Sequence, residues 1–285
     1  MPEEPPSSAR LRRIGRTLRE LREAKRMTLK AAGHRVERSS GSLSLIENGL
    51  QPLRLRDLKH ILDVYGAPDG TLRVGLMELA RQARQTGWWT DFKDVLSPSG
   101  LDYASLEYDA TLLDAIETQF IPGLLQTEAY TRAVMESSLV ERQIGKADQL
   151  VAFRMARQQI LRRPDPPQLR TILDEATLRR VRGGREVMRA QLHQLLNESQ
   201  RDHITLQVLP FSCMADPGIN GASTMLEIGR PSILSAVLVD HLTGRLTLED
   251  EADLVRYRET FERACAVALS ETDSRTLIQR IISEL

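Results

Sequence analysis

The residues of this chain that could perform covalent chemistry are few and are poorly placed for it. The candidate pair is Cys213 and His203, which precedes it in the chain. A cysteine can serve as a nucleophile when a neighbouring histidine acts as its base. A lone cysteine between a strand and a loop is more often inert. The histidines show no metal-ligand spacing such as HExxH, and no CxxC occurs. We therefore expect no enzyme activity, no catalytic residue, no metal and no cofactor.

Three further segments could have a functional or a purely structural role. Asp174-Glu175 ends a predicted strand, but without a paired carboxylate or metal cluster it is interpreted as a turn or surface pair. Gly183-Gly184-Arg185 could cradle an anion at the start of a helix. Because this segment lacks both a Walker lysine and GxGxxG spacing, a cap and turn is favoured. Met214–Gly221 is a long, flexible loop that could close over a ligand.

A different chemistry, the binding of an anionic polymer, is indicated between residues 28 and 56. Ser39 and the free N–H groups that follow it suit an anion, since a helix is predicted to begin there. Arginines flank this position, and Arg12 or Arg16 could reach a phosphate from the first predicted helix. Such contacts supply affinity and position but carry no direct sequence information. The flanking arginines, each of which could instead be a solvated surface charge, are Arg38, Arg54 and Arg56.

The elements that must position these residues are five short helices within fewer than ninety residues. The first has apolar residues at helical spacing, from Leu11 to Leu21. Thr28 can cap the second, which runs to Arg35, and Ser39 can cap the third, which Gly49 ends. The remaining two are predicted over Leu55–Tyr65 and Leu72–Gln85.

The spacing of residues 28–48 is that of a helix-turn-helix, in which the second helix enters the major groove of DNA. The alternative is an ordinary helical hairpin. In either case four apolar residues are expected to hold the two helices together, namely Ala32, Val36, Leu43 and Ile46.

Beyond residue 88 the pattern becomes mixed and predicts a C-terminal α+β domain. Leu112–Phe120 is compatible with a strand or a helix, and Thr243-Gly244 suggests a hairpin turn. The other predicted strands are Leu169–Leu173, Ile204–Leu209, Ser223–Ile228, Leu234–Val239 and Arg245–Leu248. The predicted helices are Leu101–Ala110, Thr127–Glu136, Glu141–Arg162, Arg185–Glu198, Glu251–Leu269 and Ser274–Leu285. One face of the helix Glu251–Leu269 could pair in a dimer through Leu254, Phe261 and Ala264.

Charge and composition agree with this division. Residues 1–75 contain fifteen Lys and Arg against nine Asp and Glu, whereas the whole chain is neutral at 39 of each. A basic head on an acidic body indicates that only the head meets a polyanion. No apolar run is long enough to span a membrane, no secretory signal is visible, and two cysteines form no disulfide framework. We expect a cytoplasmic protein.

The predicted boundaries are a disordered tail over residues 1–9, a helix-turn-helix DNA-binding domain over 10–87 and an α+β regulatory or partner-binding domain over 88–285. The fold class is therefore α+β overall, with an all-α N-terminal domain. Trp88 and Trp89 stand at the junction. They are interpreted either as packing residues between the domains or as part of a ligand- or partner-binding pocket.

Two sets of motifs carry a resemblance to known proteins. Residues 11–65, with "LRELREAKRMTLKAAG" and "IENG" followed by a proline, resemble the XRE (lambda-repressor-like) helix-turn-helix family. The remainder resembles the C-terminal domain of an actinobacterial subgroup that includes WhiJ-like and antitoxin-like regulators. The segments that carry this second resemblance are Trp88-Trp89, "PGLLQTEAY", "RRPDPP", "LDEATLRR", "GGREVMRAQL", "QVLPF", "LTGRLTLED" and "YRETFERACAVALS".

This resemblance implies a DNA-binding transcriptional regulator that acts as a homodimer on double-stranded DNA. It also implies a C-terminal domain that binds a ligand or a small partner protein encoded nearby. The alternative is an antitoxin-like module that sequesters such a partner and binds DNA weakly or without specificity. The implied DNA-binding residues are Thr28, Lys30, Arg38, Ser39, Ser40, Gly41, Ser42, Leu45 and Arg54.

The base-facing positions in this set depart from the pattern of the family. They are Ser40, Gly41, Ser42 and Leu45, where relatives often have Arg, Gln, Thr or Lys. Bidentate Arg, Asn or Gln contacts each discriminate between bases by about 1–3 kcal/mol, and this helix has none. Leu29 stands where a bracing Gln is common, and Lys30 is a substitute for it. The sequence therefore predicts DNA binding with few direct base contacts.

Overall fold

The computed structural model describes residues 8–138, 146–215, 217–241 and 244–285. The chain forms two compact units: an N-terminal unit of residues up to Ser105 together with Ile228–Leu234, and a C-terminal unit of Leu106–Glu227 and Ser235–Leu285. Within the described ranges, no helix is long and apolar enough to cross a membrane.

The N-terminal unit contains the five predicted helices. Side-chain caps fix the starts of the first three, because Ser8, Thr28 and Ser39 each accept a backbone N–H from the first turn. Gly49 adopts the left-handed conformation after the third helix, as predicted, with φ of 71°. The bounds are α1 Ala9–Ala24, α2 Leu29–Arg35, α3 Ser40–Glu47, α4 Leu55–Tyr65 and α5 Thr71–Gln82, and a 3-10 helix follows at Trp88–Phe92.

The predicted contact between α2 and α3 is confirmed, since Ala32, Val36, Leu43 and Ile46 are all buried. The turn between these helices is unusual in one respect. Glu37 occupies the left-handed region with φ of 55°, a conformation that glycine adopts most readily.

The C-terminal unit is built on a six-stranded mixed sheet in the order β3-β2-β1-β4-β5-β6. Strands β1, β2 and β3 run parallel, and β5 pairs with β6 in antiparallel fashion. The strand bounds are β1 Ala110–Glu117, β2 Gln168–Asp174, β3 Ile204–Leu209, β4 Ser223–Ile228, β5 Leu234–His241 and β6 Gly244–Leu248. The segment Leu112–Phe120, for which the sequence allowed a strand or a helix, therefore forms most of the strand β1.

Helices accompany this sheet, and three predictions about them need correction. Their bounds are α6 Pro98–Asp109, α7 Glu128–Ser138, α8 Ala147–Arg157, α9 Glu175–Arg179, α10 Arg185–Glu198, α11 Glu251–Val267 and α12 Glu271–Glu284. The prediction that the long helix ends at Arg162 is wrong, because the α-helix ends at Arg157 and residues 158–162 form a 3-10 helix. Its predicted start at Glu141 lies outside the described residues, as do Thr243 of the hairpin turn and the first seven residues of the tail.

The second correction concerns Asp174 and Glu175, which are not a surface pair. Asp174 caps α9, a short helix that the sequence did not predict. Glu175 is buried, accepts the N–H of Phe211 at 2.9 Å and forms an ion pair with Arg179 at 2.6 Å. This carboxylate therefore ties the end of β3 to α9.

The third correction concerns the face of α11 that was expected to pair in a dimer. Leu254 packs with Met225 and Val237, while Phe261 and Ala264 pack with apolar residues of β1 and β2. All three residues are buried inside the C-terminal unit. This face is therefore part of the core and is not a dimer surface.

Candidate nucleic-acid interface

The exposed face of α3 carries short side chains. Ser39 Oγ accepts the N–H of Ser42 at 3.1 Å, and its hydroxyl proton stays available to a phosphate oxygen. Ser40 and Gly41 are exposed, and Leu45 retains 47% of its surface. This face thus presents a capping hydroxyl and one further exposed serine at the start of the helix, and an apolar residue, Leu45, near its end.

Ser42 is less available than its neighbours because its hydroxyl donates to Gln51 Oε1 at 3.2 Å. Gln51 lies after α3 and was not among the predicted residues. The contact braces the helix against the loop that follows it. No pattern in the sequence indicates this pairing, since the two residues are nine positions apart and belong to different elements.

Arg38 lies beside the first turn of α4, where its Nη2 contacts Asp57 Oδ2 at 2.7 Å. Arg56 Nε also lies 3.3 Å from Asp57 Oδ1, and Arg54 occupies the exposed position before α4. The structure therefore joins Arg38 and Arg56 through the Asp57 carboxylate, which the sequence did not predict, and places Arg54 at the start of the same helix. Asp57 partly neutralises the cationic cluster of Arg38, Arg54 and Arg56.

The start of α2 provides a second group of predicted residues. Thr28 Oγ1 accepts the N–H of Ala31 at 3.2 Å, so its hydroxyl proton can donate outward. Lys30 is exposed on α2, whereas Leu29 is half-buried. A phosphate could therefore be contacted here by a hydroxyl and an ammonium group.

A buried ion pair fixes the far end of α3 against α1. Arg22 Nε and Nη2 donate to the two carboxylate oxygens of Glu47 at 2.7 and 2.8 Å, and Nη1 donates to the Met27 carbonyl at 2.8 Å. The hydrogen bond to Glu47 raises the pKa of Arg22. Burial, with the Glu47 carboxylate nearby, raises the pKa of Tyr65 to about 12.

The sequence "IENG" is thereby explained residue by residue. Ile46 is in the core and Glu47 forms the buried ion pair. Asn48 accepts from Arg19 Nη2 at 2.6 Å and donates to the Ser44 carbonyl at 2.9 Å. Gly49 then ends the helix with its positive φ. The motif holds the helix in place.

The two tryptophans lie in the N-terminal unit. Trp88 stacks edge to face on Trp89 and on Phe92, with ring centroids 6.0 Å apart in each case. Trp89 is buried and Trp88 is half-buried. Their role in a ligand- or partner-binding pocket stays a prediction.

Two family matches agree with this arrangement. Residues 13–74 match a family described as a helix-turn-helix domain, and residues 101–280 match one described as a domain of unknown function, DUF5753. The chain belongs to the DUF5753 family. Its DUF5753 domain follows a helix-turn-helix of the DNA-binding type, in accordance with the predicted α+β fold class. No curated protein and no solved structure matches the chain.

Proposed function

We propose that this protein is a transcriptional regulator of the XRE type that binds double-stranded DNA as a homodimer. The observation that carries the proposal is the exposed, capped start of α3 beside the cationic cluster, within a matched helix-turn-helix domain. In this proposal residues 10–87 bind DNA and residues 88–285, with the DUF5753 domain, bind a ligand or a small partner protein. Trp88 and Trp89 are candidates for that second role, and the similarity to WhiJ-like regulators belongs to the same proposal.

The alternative is an antitoxin-like module that holds a small partner protein and binds DNA weakly. The exposed apolar side chains at and after the end of α3 favour it, since Leu45 and Leu50 retain 47% and 42% of their surface. The pairing of Arg38 with Asp57 points the same way because it reduces the charge offered to phosphates.

The proposal is tested by fluorescence anisotropy of the full chain on its own upstream DNA and on a scrambled duplex, across a salt series. If Lys30, Arg38, Arg54 and Arg56 each contact one phosphate per protomer, a dimer should show a log–log salt slope of up to about −7. A preference of about a hundredfold or more for the upstream DNA would support regulation at a specific site. Equal, steeply salt-dependent binding to both duplexes would support the alternative.

Lysine variants separate interface contacts from general charge. Lys30→Ala is expected to make the slope shallower by about one unit for each protomer that loses a phosphate contact. The control is Lys25→Ala, which removes the same charge beside Gly66, at the opposite end of α4 from Arg54. An equal effect of the two variants would contradict the proposed placement of the interface.

Removing the carboxylate of Asp57 is expected to strengthen DNA binding. In Asp57→Asn the Arg38 and Arg56 guanidinium groups lose their anionic partner, and the affinity should rise about threefold to tenfold at low salt. The control is Asp63→Asn, which deletes the same charge near the end of α4, where Asp63 pairs with Arg73. The two positions are about 9 Å apart along the helix axis, so the control deletes its charge farther from the proposed interface, where it interacts more weakly with the phosphates. Unchanged or weaker binding by Asp57→Asn would show that Arg38 does not face DNA.

A further inference from the structure

A cavity of about 370 Å³ lies in the C-terminal unit, within the size range of small-molecule sites. Its walls come from the ends of two strands, from one side of α11 and from the loop that leads into β4. Nothing in the proposed DNA interface uses these residues.

The sheet side of the cavity is apolar. Ile116 projects from the end of β1 and Val239 from β5, and Ile219 and Tyr257 complete this surface. Ile116 is only 4% exposed, so the cavity reaches down to the core of the sheet. An apolar group that covers this surface would remove it from water, which is favourable.

The helix side of the cavity is cationic. Arg256, Thr260 and Arg263 follow one another on one face of α11, and Arg263 Nη2 donates to Thr260 Oγ1 at 3.1 Å. Arg256 lies 3.9 Å from Asp253, but its side chain is 78% exposed, so this surface pair is weak. Among the residues that the structure describes, Glu259 is the only acidic one that lines the cavity. The described part of the lining therefore carries two guanidinium groups against one carboxylate.

The loop side of the cavity requires glycine at two positions. Gly218 and Gly221 have φ of 79° and 142°, which other residues rarely adopt. A Cβ at Gly218 would lie 3.7 Å from Arg263 Nη2, whereas one at Gly221 would meet no atom within 4 Å. The backbone thus passes close to Arg263 and leaves open space at Gly221. The sequence indicated that the loop Met214–Gly221 could close over a ligand. Its last part, Gly218–Gly221, forms a wall of the cavity.

We propose that this cavity binds a small organic anion with an apolar body, such as a carboxylate, sulfonate or phosphate ester. The anionic group contacts Arg256 and Arg263, and the apolar body covers Ile116, Val239 and Tyr257. Guanidinium groups suit this role because they form charge-assisted, bidentate hydrogen bonds with such anions. The inference rests on the ligand-binding part of the proposed function and names the class of ligand, without requiring that the protein bind DNA.

The test is a fluorescence and calorimetric titration of the full chain, without DNA, with anilinonaphthalenesulfonate and with its neutral analogue phenylnaphthylamine. We expect one sulfonate per chain with a Kd on the order of tens of micromolar, and at least about tenfold weaker binding of the neutral analogue. Equal binding of both probes, or no saturable binding of the sulfonate, would overturn the proposal. Because DNA is absent, the result is independent of the proposed regulatory function.

Variants of α11 locate the site. The double variant Arg256→Ala with Arg263→Ala is expected to weaken sulfonate binding at least about tenfold and to leave the neutral analogue unchanged. The matching double lysine variant keeps both charges but loses the bidentate geometry, so it should bind more weakly than the native protein and more tightly than the alanine pair, which separates lost charge from lost folding. The control is Arg280→Ala, which removes an exposed arginine of α12 outside the cavity lining. Sulfonate binding that is insensitive to the alanine pair, or equally sensitive to Arg280→Ala, would place the probe elsewhere.

Discussion

Replacing Glu47 by alanine is expected to lower the free energy of unfolding of the N-terminal unit by about 3–5 kcal/mol. The substitution leaves the Arg22 guanidinium buried without its buried counterion, with only the exposed Glu23 as a partner, and that poorly compensated charge is the main cost. Since Glu47 ends α3, the variant should also lose DNA binding. Urea unfolding followed by tryptophan fluorescence measures the effect, because the chain has two tryptophans and both, Trp88 and Trp89, lie in this unit.

The structure supplies a matched control for this experiment. Glu23 also pairs with Arg22, at 3.2 Å, but its side chain is 60% exposed. Glu23→Ala should therefore cost less than about 1 kcal/mol. A second check is Arg22→Met combined with Glu47→Leu, which removes both charges and should recover much of the loss. If Glu47→Ala and Glu23→Ala proved equally mild, the ion pair would not hold α3 in place.

The helices of the N-terminal unit were predictable because their signals are local. Thr28 and Ser39 each precede a helix and cap it, Gly49 ends one, and the apolar spacing in between gives the buried face. The exposure of Ser40 and Gly41 follows from the same periodicity. These features require no knowledge of distant residues.

The ion pairs were not predictable, because they join residues that are far apart in the chain. Arg38 and Asp57 are nineteen positions apart, and Arg22 and Glu47 are twenty-five. Each charged residue considered alone is compatible with a solvated surface. Glu175 was misinterpreted for the same reason, since its partner Phe211 is brought close only when β3 forms beside β2. The cavity likewise depends on segments that meet only in the folded sheet.

A pair of glycine variants distinguishes the packing of α3 from its surface. Gly15 lies in α1 where a Cβ would come within 2.5 Å of the Ile46 carbonyl oxygen and 2.6 Å of that of Glu47. Because these are backbone atoms, the helices must separate, and Gly15→Ala should destabilise the unit by about 1–3 kcal/mol despite the better helix propensity of alanine. Gly41 has no atom closer than 4.0 Å to the same position, so Gly41→Ala should stabilise α3 by about 0.5–1 kcal/mol.

The opposite signs of these two effects follow from the position of each glycine. Gly15 is required for the close approach of α1 to the end of α3, whereas the exposed Gly41 is not required for folding. Thermal unfolding monitored by tryptophan fluorescence should therefore show a lower Tm for Gly15→Ala and a higher Tm for Gly41→Ala. A destabilised Gly41→Ala would mean that the start of α3 is packed in solution, and it could not then be the exposed end that meets DNA.

If the stabilised variant Gly41→Ala keeps its affinity for the upstream duplex, a side chain at that position is compatible with the groove. Gly41→Arg would then be the direct way to ask whether this helix can gain a base contact.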